Sequence, residues 1–262
     1  MTYKIFKKAA LRVLAALLAA LTFSAPASAH TGNTPYNWYF QKNEKHEQPG
    51  LDAGMKFIEN YDCVYVSPDK TSKTIYLTFD AGYENGNIAK VLDALKAHGA
   101  HGAFFILDNL VKRNRDLVCR MADEGHLVCN HTARHPDMAA ITDKALFHKQ
   151  LTDLEKVYTE ATGRELSHFY RPPRGRFSEQ NLQFAEELGY TTVFWSYAYA
   201  DWDNDAQPEP EASIRQILLH THPGMVILLH PTSRTNAEII DRLLTLWEQS
   251  GWRFGSLEEL KK

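Results

Sequence analysis

The sequence predicts an α/β fold, a distorted (β/α) barrel of about seven parallel strands. Two positive observations predict it. Short β-branched or aromatic runs alternate with helix-period segments about seven times, joined by short connections. These repeats fit into about 190 residues, a density that favours a barrel over an open sheet. A third observation is negative. No GxGxxG follows the first strand and no P-loop occurs, so a nucleotide-binding open sheet has no support.

The 262-residue chain starts with a segment that does not belong to that pattern. Lys4, Lys7, Lys8 and Arg12 form a basic head, and Leu14 to Phe23 is an apolar run short for a bilayer. Ala27-Ser28-Ala29 is an A-x-A cleavage site. Residues 1–29 therefore read as a secretory signal peptide, with an uncleaved anchor as the other reading. Cleavage removes those four basic residues and no acidic one, which takes the formal net charge from −3 to −7. A mildly acidic secreted chain is a poor nucleic-acid binder, because nothing neutralises phosphate. Cys63, Cys119 and Cys129 are too few for a disulfide framework and form no CxxC. One bridge is possible in an oxidising compartment, with Cys119 and Cys129 reading as core.

From residue 30 to 72 no period holds, and Tyr36, Trp38, Tyr39 and Phe40 punctuate an extension that drapes over the domain or lines a groove. Residues 73–262 carry the repeats. Thr74 to Phe79 is a buried strand ending in Asp80-Ala81-Gly82-Tyr83, and a helix from Asn87 closes at His98-Gly99. Strand 103–107 precedes helix 110–124, and strand 125–130 delivers His131. Helix 142–162 has a Thr142 cap and a Gly163 stop; strand 167–170 ends at Arg171-Pro172-Pro173. Helix 178–188 has a Ser178 cap, and strand 191–195 leads to the acidic loop 201–211. Helix 213–220, strand 225–229, helix 236–249 and a short strand at 252–254 complete the chain.

The polar residues that follow these strands carry the chemistry. His131 and His135 are four apart, a spacing that on a helical turn puts both rings on one face around one metal ion. The spacing alone is common, so its meaning rests on company. The first strand gives Asp80, the third the histidine pair, the fourth Arg171, the fifth Asp201-Trp202 and the sixth His230. In an α/β barrel the strand C-termini open on one face, so all of these converge. The set suits metal-assisted hydrolysis. Two neutral imidazoles hold a divalent ion, Asp80 takes a proton from water, and His230 protonates the leaving nitrogen. Arg171 beside Asp80 keeps it ionised, and Asp201 is expected to hold Arg171 in place. A backbone N–H near Arg174 is expected to stabilise an oxyanion. Trp202 and Leu228 offer apolar wall for an acyl group or a sugar face.

Thr78-Phe79-Asp80, His131-x-x-x-His135, Arg171-Pro172-Pro173, Asp201-Trp202 and Leu228-Leu229-His230 resemble, in order, the five motifs of the NodB-like polysaccharide deacetylases, carbohydrate esterase family 4. The resemblance spans roughly residues 73–254. Phe79 to Gly86, His135-Pro136-Asp137 and Arg171 to Gly175 look most like the delta-lactam-biosynthetic branch, which de-N-acetylates muramic acid in the peptidoglycan of spore formers. The resemblance implies a secreted or wall-associated hydrolase acting on peptidoglycan glycan strands, with no protein partner implied. It implies Asp80 as base, His230 as acid, Arg171 with Asp201 as the pair tuning base and acid, and His131 and His135 as metal ligands. Tyr83, Arg174, Trp202 and Leu228 are the expected substrate contacts. One position departs from the family. Its third metal ligand is an Asp directly after the base, and here that residue is Ala81. Asp80, Asn85 or water is left to fill the gap, and zinc remains the expected ion. Two alternatives follow: a deacetylase of GlcNAc or chitin-like glycans, or a wall-binding module whose catalysis has lapsed.

Overall fold

The computed structural model describes residues 32–261, so the signal-peptide reading of residues 1–29 lies outside the described residues. Strands are β1 (Tyr36–Asn37), β2 (Cys63–Val64), β3 (Thr74–Ala81), β4 (Gly102–Ile106), β5 (Leu127–Asn130), β6 (Ser167–Tyr170), β7 (Arg176–Phe177), β8 (Thr191–Val193), β9 (Tyr197–Ala198), β10 (Met225–Leu229) and β11 (Arg253–Phe254). Helices are α1 (Ile88–Ala97), α2 (Asp108–Arg113), α3 (Arg115–Asp123), α4 (Lys144–Thr162), α5 (Glu179–Glu187), α6 (Pro210–Leu219) and α7 (Arg234–Gln249). Nine strands form one sheet in the order β2-β8-β6-β5-β4-β3-β10-β9, with β11 also on β3. Every pairing within it is parallel.

The stretch from Thr191 to Ala198 serves twice. Its start, β8, pairs with β6, and its end, β9, pairs with β10. This curls the sheet back on itself. The strand count exceeds the sequence expectation because β2 and β9 are two-residue strands whose pairing has no periodic signature.

Alternation along β3 sets the aim of the first strand. Ile75, Leu77 and Phe79 pack outward against Val91, Leu92 and Leu95 of α1 and Leu243 of α7. Tyr76 points the other way, into an inner layer with Ala103, Phe105, Cys129, Phe169, Val193 and Val226. Thr78 and Asp80 share the parity of Tyr76 and so face the barrel interior. Burying each Leu, Ile or Phe of the outer layer contributes about 1.5–3 kcal/mol, which fixes the register and with it the direction of Asp80.

Several boundaries differ from the sequence reading. The expected helix 110–124 is two helices broken at Asn114, which ends α2 with φ −135°. Asp143, one residue beyond Thr142, caps α4, and Gly163 ends it in a left-handed conformation. Helix α6 starts at Pro210 under a Glu209 cap. The extension is woven in rather than draped. It supplies β2 to the main sheet, β1 pairs with β7, and Trp38 stacks on Phe194 at 4.3 Å. All three cysteines are free thiols.

Candidate active site

The parallel register aligns the strand ends. Phe79 pairs with Leu229 and Phe104, Ala81 with Ile106, Ile106 with Asn130, and Asn130 with Tyr170. Asp80, His131, Arg171 and His230 therefore meet at one mouth, each within a residue of its strand end.

Arg171 is fully buried beneath that mouth. Its Nη1 donates to Asp80 Oδ1 at 2.8 Å, Nη2 to Thr78 Oγ1 at 2.9 Å, and Nε to the Val193 carbonyl at 3.1 Å. Its guanidinium lies 4.2 Å from the centroid of the Phe105 ring. Burial alone would raise the Asp80 pKa. The positive charges of His131 when protonated, Arg171 and His230, with the Arg171 hydrogen bond, outweigh burial and hold the carboxyl below 3.8.

On the other side of the mouth His230 Nδ1 donates to Asp201 Oδ1 at 2.7 Å, and its backbone N–H donates to Asp201 Oδ2 at 2.8 Å. Burial lowers the affinity of this imidazole for a proton. The Asp201 hydrogen bond and the charges of Asp201 and Asp80 outweigh it, so the pKa is raised above 6.5. Asp201 does not hold Arg171, as the sequence reading expected. The reason is strand order: β9 pairs with β10, with Ala198 opposite Leu228, so the loop after β9 delivers Asp201 to His230.

The histidine pair is not on a helix. Residues 131–135 form a loop in which Thr132 and His135 both have positive φ, 74° and 57°. Asn130, buried at the end of β5, winds it. Its Oδ1 accepts from the Thr132 N–H, and its Nδ2 donates to the Leu151 carbonyl and the Tyr190 hydroxyl. Thr132 Oγ1 then accepts from the His135 N–H. The two rings still meet, with centroids 5.1 Å apart. His131 Nδ1 lies 2.8 Å from the Arg171 carbonyl, which only accepts, so Nδ1 carries the proton. Its Nε2 lone pair faces Asp80 Oδ2 at 3.5 Å. Burial pushes the His131 pKa down to about 4 and lowers that of His135.

These two neutral imidazoles suit a divalent cation. Ala81 adds no donor and packs in the outer core beside Ile106 and Leu110. Asn85 is anchored away from the strand ends of the histidine pair by its amide N–H, which donates to the Thr232 carbonyl after β10 at 2.8 Å. Among the described residues no three His, Cys, Asp or Glu side chains are grouped to hold an ion. The donor set thus fits a cation at two protein positions, with the remainder left to water and substrate.

The rim is aromatic and cationic. Trp202 is 61% exposed, with its ring 6.4 Å from that of His230. Tyr83 is exposed and accepts at its hydroxyl from Asn204 Nδ2 at 2.5 Å, which joins the loops after β3 and β9. Arg174 is exposed with φ 59°, and its charge helps lower the His135 pKa. The neighbouring Gly175 carbonyl accepts from the Trp38 N–H, so the extension borders the rim. Leu228 is buried within β10 and forms no part of an exposed wall. Sequence reasoning gave no role to Thr78, Asn130 or Asn236, and of these only Thr78 carried a signal, its parity with Asp80. Tyr199 was legible as a neighbour of Asp201 by its place in the chain.

The family model for polysaccharide deacetylases matches residues 67–193. The chain is 42% identical over 231 residues to the peptidoglycan-N-acetylmuramic acid deacetylase PdaA of Bacillus subtilis, covering 87% of this chain and 86% of that protein. The solved structure of that family 4 carbohydrate esterase superposes with a TM-score of 0.83 and covers 87% of this chain and 97% of its own. A family 4 carbohydrate esterase from Bacillus anthracis, 35% identical, superposes with a TM-score of 0.72 over 88% of this chain and 97% of its own. A peptidoglycan-N-acetylglucosamine deacetylase of Bacillus cereus is 27% identical over 88% of this chain and 84% of its own. Taken with the curled parallel sheet, this likeness along nearly the whole chain means that the protein belongs to the NodB-like polysaccharide deacetylases of carbohydrate esterase family 4.

Proposed function

We propose that this protein is a secreted hydrolase that removes the N-acetyl group from N-acetylmuramic acid in peptidoglycan. One observation carries the reading. Two separate pairs flank one mouth, Arg171 with Asp80 and His230 with Asp201; the first holds a carboxylate ionised and the second raises the proton affinity of an imidazole. That is the division of labour amide hydrolysis needs. Asp80 accepts a proton from the attacking water as its oxygen bonds to the acetyl carbon. His230 Nε2 then gives its proton to the sugar nitrogen as the C–N bond breaks, which leaves acetate and a free amine. His131 and His135 would hold a divalent cation, zinc being one that imidazole donors suit, and it would supply Lewis-acid polarisation of the acetyl carbonyl. Trp202 presents a ring face to a sugar. N-acetylmuramic acid bears a lactyl carboxylate that N-acetylglucosamine lacks, and the exposed Arg174 cation at the rim is its complement. The amine released beside a peptide-free lactyl group can close to a delta-lactam, which fits a role in spore cortex. No helix among the described residues is long and apolar enough to cross a membrane.

The test is acetate release from peptide-free peptidoglycan, peptide-bearing peptidoglycan and chitin oligomers, before and after chelation. Release confined to peptide-free muramic acid, lost on chelation and restored by zinc, supports the reading. Equal release from chitin oligomers sinks the substrate assignment.

A further inference from the structure

We propose that Asn236 is a positioning residue that aims Asp201 at His230, and that Tyr199 fixes which way the Asn236 amide faces. The inference rests on the reading of His230 as the acid. Asn236 lies in the first turn of α7, where its backbone N–H is held by the Ser233 cap. Its Nδ2 donates to Asp201 Oδ2 at 2.6 Å and to the His230 carbonyl at 3.0 Å. Both partners only accept, so the amide end facing them must be the NH2. The opposite end, Oδ1, accepts from the Tyr199 hydroxyl. Tyr199, Asn236 and Asp201 are 7%, 1% and 1% exposed, so water cannot replace a lost partner cheaply.

The consequence is an ordered chain of donors: Tyr199 to Asn236, Asn236 to Asp201. Two donors on Oδ2, the His230 and Asn236 N–H groups, leave Oδ1 turned to the His230 ring. Without Asn236 the carboxylate keeps one anchor and is free to rotate away from Nδ1. The charged and titratable groups facing His230 are Asp201 from the loop after β9, Asp80 from β3, Arg171 from β6 and His135 across the mouth. Only Asp201 bonds its ring. Loosening that bond leaves burial as the dominant influence on the imidazole.

The experiment is N236A, Y199F and the double variant in the full mature chain. His230 titration is followed by NMR without substrate, and the alkaline limb of acetate release is followed with it. In N236A the His230 midpoint should fall by about half a pH unit or more, with kcat lowered roughly tenfold and KM changed less than about twofold. Y199F should move both readouts the same way by less, and the double variant should match N236A, because the Tyr199 hydroxyl reaches the Asp201–His230 pair through that amide. An unmoved His230 midpoint in folded N236A overturns the proposal, as does additivity of the two substitutions. If N236A does not fold, Y199F, which removes a single oxygen, decides alone, and an unmoved midpoint there is fatal. If the wild type releases acetate from no glycan, the proposed function fails, while the substrate-free titration still decides this inference.

Discussion

Asp201 shows how one residue's meaning depends on its neighbour. The sequence identifies it as a carboxylate past a strand end but does not say which cation it meets. Only the pairing of β9 with β10 assigns it to His230. The expected result of D201N follows from the sign of the shift. The His230 pKa stands above 6.5 because Asp201 outweighs burial, so the proton is held to higher pH than on a free imidazole and is lost above the raised value. Removing the carboxylate charge moves the alkaline limb of the rate profile to lower pH. It also lets the wrong tautomer form, so kcat should fall by about 10²–10⁴. A pH profile of D201N with an unmoved alkaline limb would remove His230 from the role of acid. Asp80 was easier to read. Its strand parity is fixed by Ile75, Leu77 and Phe79, so its inward aim was legible from the alternation alone.

At the scale of elements, periodicity carried the long helices and strands, because burial of a repeated face leaves a repeated signal. Breaks in backbone geometry left little. Asn114 interrupts a helical pattern that remains apolar on one face, and Glu209 is an unusual cap, so both boundaries were misplaced. The His131–His135 loop is the sharper case. Four-residue spacing matches a helical turn, yet positive φ at Thr132 and His135 bends the chain so that the rings meet by another route. Asn130 holds that bend through three hydrogen bonds while buried. N130A should therefore cost about 1–3 kcal/mol in urea unfolding and weaken zinc binding about 10–100-fold in calorimetric titration, because the second imidazole loses its support. Unchanged zinc affinity in a destabilised N130A would show that the loop is set elsewhere.

At the scale of the whole molecule, the sequence conveyed a barrel of parallel strands but not its seam, where two-residue strands close the curl. His222 stands at that seam. Its Nδ1 donates to the His220 carbonyl, and its Nε2 accepts from Ser196 Oγ at 2.9 Å. Ser196 Oγ in turn accepts from the Val226 N–H of β10 at 3.1 Å. Burial keeps the ring neutral and pushes the His222 pKa down to about 4, with the neighbouring His220 charge acting the same way. A folded pKa below the unfolded value of about 6.5 means that the unfolded chain binds the proton first. Stability from this group is complete above about pH 6.5 and is lost progressively as pH falls toward 4, on the order of 3 kcal/mol in all. His126, also lowered to about 4 by burial and by His101, adds a loss in the same window. The slope of unfolding free energy against pH between 6 and 4.5 should accordingly exceed that of H222Q by close to one proton, about 1.4 kcal/mol per pH unit. Urea titrations at stepped pH measure both slopes, and equal slopes would show that the seam does not depend on a neutral His222.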